Sequence, residues 1–200
     1  MHDFVKSRYC GIVIGGVYKM YEEIIAKVRE YKVNTEDENI WWKEKVKRKL
    51  INNQAILYYL HNTELDIESA DEFIGKNIRP ALMIPETQDT PINYICFKTS
   101  FSEVSKYNKI YKYATLTFVI LCDQRDLIDK ESGIARHDIL GALIREEFNW
   151  SNMFGTQLKL VSNEESTTDT EYATRTLKFQ SETVNGISQN NNIINYQVTV

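Results

Sequence analysis

The chain has little of what an enzyme, a secreted scaffold or a membrane protein needs. Its 200 residues include only three cysteines, Cys10, Cys96 and Cys122, odd in number and far apart. Two of them sit inside strand-like apolar runs, so they read as reduced core residues rather than as a disulfide framework or a zinc site. No window approaches the roughly 18 apolar residues of a membrane span. The opening MHDFVKSRYCGIVIGG has no long apolar region after its charges, so no secretory signal is expected. A net charge of −4 gives the whole molecule no field that would draw it to nucleic acid or anionic lipid. Internal repeats are missing too.

Chemical motifs are equally scarce. GIVIGG, residues 11–16, lacks the Gly-Lys-Ser/Thr ending of a P-loop and the preceding strand and downstream acid of a dinucleotide site. A backbone turn before a helix is the simpler reading. Asp123, Asp126 and Asp129 fall in one loop without EF-hand spacing or its glycine, and a solvated loop is expected there. His137-Asp138 is the one histidine–acid pair of note, with His2 and His61 in unrelated contexts. A metal-dependent hydrolase would need further converging ligands, whereas Asp138 in the first turn of a helix complements the helix dipole. No serine sits in a nucleophile-elbow sequence. No catalytic, cofactor-binding or metal residue is nominated, and no enzymatic activity is expected.

What the chain does have is a core. Apolar residues make up 42% and charged residues 26%, ordinary for a globular protein. Val17, Met20, Tyr21, Ile24, Ile25, Val28 and Tyr31 recur at three- and four-residue spacing and predict an amphipathic helix. Thr35 and Glu38 form a capping box that opens a second helix, carrying Ile40, Trp41, Val46, Leu50, Ile51 and Leu57 towards Leu60 with a break near Asn52-Asn53. A further capping box, Ser69 to Glu72, opens a short helical turn that must stop before Pro80.

The period then changes from 3.6 to 2. Ala81 to Ile84 is a short apolar run closed by Pro85. Ile95, Phe97, Thr99 and Phe101 share one strand face, and Ala114, Leu116, Phe118, Ile120 and Cys122 share another. Ile139, Leu140, Leu143, Ile144 and Phe148 predict a helix packed across the sheet, with Arg145, Glu146 and Glu147 left to solvent. Leu158 and Leu160 mark one more strand; Ala173, Leu177 and Phe179 mark the last. The acidic segment between them, 163–171, reads as a mobile loop or a projecting hairpin tip. The fold class is α+β: a mainly antiparallel sheet of four to five strands flanked by a helix, with an N-terminal helical extension and a C-terminal arm.

Two features suggest surfaces. KEKVKRK supplies Lys43, Lys47 and Arg48 as candidate phosphate contacts, although its charges spread around the helix and a solvated face is the simpler reading. Trp41 and Trp42 cannot both be buried on one face, so one packs in the core and the other against a partner. At the C-terminus the polar NGISQNNN is followed by IINYQVTV, where Ile194, Tyr196, Val198 and Val200 alternate with polar residues. That strand either closes its own sheet or frays, or else adds to the sheet edge of a neighbouring subunit.

IRPALMIPE, the paired strands INYICFKTSF and YKYATLTFVILCD, the helix IARHDILGALIREEFN and the closing strands GTQLKLVSN and EYATRTLKFQSETVNG follow one another in an order that resembles the tail-terminator (tail-completion, neck) proteins of tailed bacteriophages. The resemblance covers about half the chain, and it implies domains at 1–76 (helical extension), 77–186 (α+β core) and 187–200 (flexible arm with a terminal strand). It also implies a non-enzymatic virion protein of the tail or neck, assembled in the host cytoplasm. Such a protein forms a homo-oligomeric ring, typically hexameric, that stops tube polymerisation. Its partners are the tail tube protein and the head–tail connector protein; DNA crosses the lumen without specific binding, and no cofactor or membrane is involved. On this reading the acidic 163–171 segment projects into the lumen or towards a neighbouring ring and limits sticking to DNA. Two other classes stand beside it: a nucleic-acid or protein-binding adaptor that uses the basic N-terminal helices, and a small hydrolase built round His137 and Asp138.

Overall fold

The computed structural model describes residues 19–30, 38–82, 90–105, 108–167 and 171–184. The chain divides into two compact units, Met1–Glu44 and Lys45–Val200. In the first, residues 19–30 form helix α1. Its apolar positions Met20, Tyr21, Ile24, Ile25 and Val28 are all exposed. The amphipathic pattern therefore made the helix without burying its stripe.

Helices α2 (Glu38–Ile51) and α3 (Gln54–Leu60) are separated where Asn52-Asn53 predicted a break. Asn53 is the reason, because its side-chain oxygen accepts from the Ile56 amide and caps the new helix. α3 ends on His61 in the left-handed region, which closes the last turn onto the Tyr58 carbonyl. The following 3₁₀-helical segment Ile67–Phe73 is capped by Asp66 and not by Ser69, which sits in a kink. An aspartate two residues before Glu68 takes that orphan amide first, so the expected Ser69–Glu72 box is corrected.

Five strands make one sheet in the order β1-β2-β3-β5-β4: β1 (Ile78–Arg79), β2 (Tyr94–Ser105), β3 (Asn108–Asp123), β4 (Lys159–Thr167) and β5 (Tyr172–Val184). Among the described strands the β1–β2 pairing is parallel and the others are antiparallel. β1 pairs at Ile78–Arg79, ahead of the apolar run that starts at Ala81; Ala81 and Leu82 are exposed, and Met83 and Ile84 lie outside the described residues. The predicted strand faces hold: Ile95 pairs with Ile120, Phe97 with Phe118 and Leu116 with Phe179. Helix α4 (Arg136–Phe148) lies over that face and buries Leu140, Ile144 and Phe148 completely. Phe118 is the hub, with ring centroids 4.8 Å from Phe148, 5.9 Å from Phe179 and 6.0 Å from Phe97.

The opposite face is mostly polar. At one end a small apolar cluster of Tyr94, Cys96, Leu121 and Tyr172 covers it, flanked by Ile92 and Val119. Cys96 and Cys122 are buried free thiols on opposite faces of the sheet, while Cys10 lies outside the described residues. Among the described residues no helix is long and apolar enough to cross a membrane.

The acidic connection is shorter than its sequence suggested. Asn163–Thr167 continue strand β4, paired from Asn163↔Leu177 to Thr167↔Ala173, leaving only residues 168–171 between strands. Polar residues succeed as strand there because β4 is the outermost strand, where ladder hydrogen bonds on one side suffice and neither face needs to be apolar.

Candidate functional site

Three constellations stand out once the fold is in place. The first is at the corner where β3 ends and α4 begins. Asp123 is buried, caps the turn through the Arg125 amide at 2.9 Å and takes Arg125 Nε at 3.0 Å and a terminal guanidinium nitrogen at 2.7 Å. Asp126 accepts from Asn93 at 3.0 Å, lies 2.8 Å from His61 Nδ1 and 3.3 Å from Arg136 Nε. Asp129 accepts from the Ser132 amide and hydroxyl and sits 3.5 Å from Arg136. Asn93 and Asn77, both buried, link this corner to the Leu60 carbonyl and to the start of β2.

The three aspartates are therefore not a solvated loop, as expected, but anchors in an ion-paired corner. For Asp126 and Asp129 the physical reason is Arg136, only 4% exposed, whose guanidinium would be uncompensated without them, and for Asp123 it is Arg125. Hydrogen bonds from Arg125 hold the Asp123 carboxyl below its ordinary range against the opposing effect of burial. Those from Ser132 do the same for Asp129. Each of these three carboxylates has a cationic partner, so the corner is built to hold elements together.

The second constellation surrounds the His137-Asp138 pair. Ligand atoms of His137, Asp138 and Glu165 lie within 4.8 Å of one another. A guanidinium nitrogen of Arg175 already sits 2.6 Å from the Asp138 carboxylate, and Arg175 Nε donates to Asn163 at 2.9 Å. Arg175 runs beneath Gly141 of α4, where a Cβ would lie 2.6 Å from its Cδ. His137 is buried and its Nδ1 has no hydrogen-bond partner, so no neighbouring acceptor orients the ring for a metal. A divalent cation would have to displace Arg175, and the donor set fits a fixed ion pair better. Sequence reasoning passed over Arg175, although a charged residue in the inward series Ala173, Leu177, Phe179 was the available signal.

The third constellation is a surface that spans β3, β5 and the start of β4. A groove of about 630 Å³ is lined by residues that include Tyr111, Tyr113, Gln157, Lys159, Val161 and Gln180. Val161 is 52% exposed at a bulge between Leu160 and Ser162. Nearby Trp150, at φ 64° and 59% exposed, carries the Lys159 ammonium 5.7 Å from its ring centre. None of these residues had a motif to mark it, since their exposure follows from the bulge and the edge position.

The nominated surface residues divide. Trp42 is buried and Trp41 is 39% exposed, the split that the adjacent pair required. In the basic run, Lys45 donates to the Met153 carbonyl at 3.0 Å, and Lys49 donates to the Glu147 carbonyl at 2.6 Å and pairs with its carboxylate at 2.8 Å. Burial works against the Glu147 charge, but Lys49 and Asn53 outweigh it and keep its carboxyl below the ordinary range. The expectation of a solvated basic face is corrected for these two lysines, and that of a solvent-facing Glu147 with them. Lys49 complements the carbonyl end of α4, whereas Lys45 ties to the loop beyond it. Lys43 and Lys47 are half-buried and Arg48 is exposed. Ile194, Tyr196, Val198 and Val200 lie outside the described residues, as do GIVIGG and His2.

A family model described as YomW matches residues 53–181, more than half of the chain and the whole span from α3 to the middle of β5. No curated protein matches the chain.

Proposed function

The chain belongs to the YomW family, a phage-derived family that points to a phage protein, and on that premise we propose that it is a structural virion protein. In this reading it forms a ring at the end of a tail tube, stops tube polymerisation and joins the tail to the head connector. The observation that carries the proposal is the family match across the sheet and its helices. The sheet supports it: among the described residues β4 is paired along one edge only, and β1 pairs with only the first part of β2 on the other side. A closed ring needs two different surfaces on each subunit, repeated around an axis. The exposed apolar face of α1 also suits a protein that completes itself on partners.

Light scattering across a concentration series, with negative-stain images of the heaviest species, tests the proposal. A closed ring, alone or seated on purified tail tubes, is the expected result. A chain that stays monomeric at high concentration and also fails to bind or cap tubes overturns it. The adaptor reading keeps Lys43, Lys47 and Arg48, and predicts a salt-sensitive DNA shift that is lost when these three are substituted.

A further inference from the structure

We propose that the free edge of β4 receives residues 193–200 of a second copy of this chain as an added antiparallel strand. The receiving site is visible. β4 is nine residues long and, among the described residues, the outermost strand, with a neighbouring strand on one side only. The bulge leaves Val161 as an exposed apolar side chain on that rim, beside the Tyr111 and Lys159 groove. The incoming segment is legible as well: IINYQVTV alternates Ile194, Tyr196, Val198 and Val200 with polar residues, eight residues for a nine-residue edge.

Charge selects this occupant over a second β4. Exposed Glu164 and Glu165 on the rim would repel the same pair on another copy, whereas residues 187–200 carry no charged side chain. Every long pairing in this sheet is antiparallel, and antiparallel pairs are the commoner kind. In that orientation Ile193 starts opposite Thr167, which pairs with Ala173. Val184, the last residue of β5, is eleven residues from Ala173 and so about 36 Å away along the strand. The nine steps from Val184 to Ile193 reach at most about 32 Å, and they must also cross β4. In this antiparallel orientation a chain cannot lay the strand on its own edge over the full length, so the donor is another copy. The assignment needs self-association only and does not rest on the tail reading.

Hydrogen exchange of the full chain over a concentration series, read on peptides covering 159–167, tests it. The expected result is slowing of at least about tenfold that grows with concentration, since edge amides gain a partner only on association. Truncation after Asn192 should abolish the slowing, and a synthetic peptide of residues 190–200 should restore it. Val161→Lys should weaken the peptide about tenfold by placing a charge where an apolar contact forms. Protection that is absent, independent of concentration or unchanged by the truncation overturns the inference. Light scattering on the same samples separates it from the ring: rings without β4 protection sink the arm alone, whereas β4 protection in dimers that never close sinks the ring alone.

Discussion

Two buried regions of this molecule are held together by opposite means. Beneath α4 the sheet presents Phe97, Leu116, Phe118 and Phe179, all fully buried, against Ile144 and Phe148. A few residues away, at the β3–α4 corner, Asp123, Asp129 and Arg136 are also nearly inaccessible but are ionic. The core is non-directional and tolerates pH, because removing apolar surface from water involves no titrating group. The corner is directional, and its worth depends on every partner keeping its charge.

The largest effect should come from Phe118→Ala, which empties the hub of the aromatic cluster and should cost about 3–5 kcal/mol in urea unfolding. Its stability should keep the wild-type dependence on pH, and a changed dependence would mean that core and corner are coupled. Arg136→Met should cost about 2–3 kcal/mol, less than a fully buried pair because Asp126 retains some contact with water. If Arg136→Met were instead stabilising, the corner would be a device for specificity alone.

Acid should find the corner before the core. Asp123 and Asp129 have carboxyls held below their ordinary range, so their contribution is complete above the unfolded value near pH 4 and is lost as pH falls through their lowered folded values. The urea midpoint should therefore drop between about pH 5 and pH 2.5, and Arg125→Gln should flatten that drop by removing the partner of Asp123. An unchanged profile in Arg125→Gln would assign the acid sensitivity elsewhere.

The smallest effect is where helix and ion pair meet. Gly141→Ala gains roughly 1 kcal/mol of helix propensity but pushes on Arg175, so its net loss should stay under about 1 kcal/mol. In an Arg175→Ala background the same change should become stabilising. Additive behaviour in that double-mutant cycle would show that Arg175 moves aside freely.

How much of this was legible in the sequence follows the same division. The strand faces of β2, β3 and β5, the stripe of α4 and the break at Asn52-Asn53 were readable, because each is a local pattern of period 2 or 3.6 or a capping residue beside its target amide. The cap at Asp66 was misread only in choosing between two nearby acceptors. The acidic segment, a mobile loop or a projecting hairpin tip by its want of apolar residues, supplies five residues of an edge strand, which needs no apolar face.

By itself, then, the sequence determined an α+β chain with a one-sided aromatic core and an alternating terminal segment, since hydrophobic periodicity acts along the chain within a few residues. Tertiary structure alone decided that His61 meets Asp126 across 65 positions, that Arg175 meets Asp138 across 37, and that Lys49 closes the end of α4 across 98. Ion pairs carry no periodic signal. Many charged residues were available to each of these groups, and only the packing of the apolar faces brought one partner within hydrogen-bonding distance and put β4 at the rim of the described sheet.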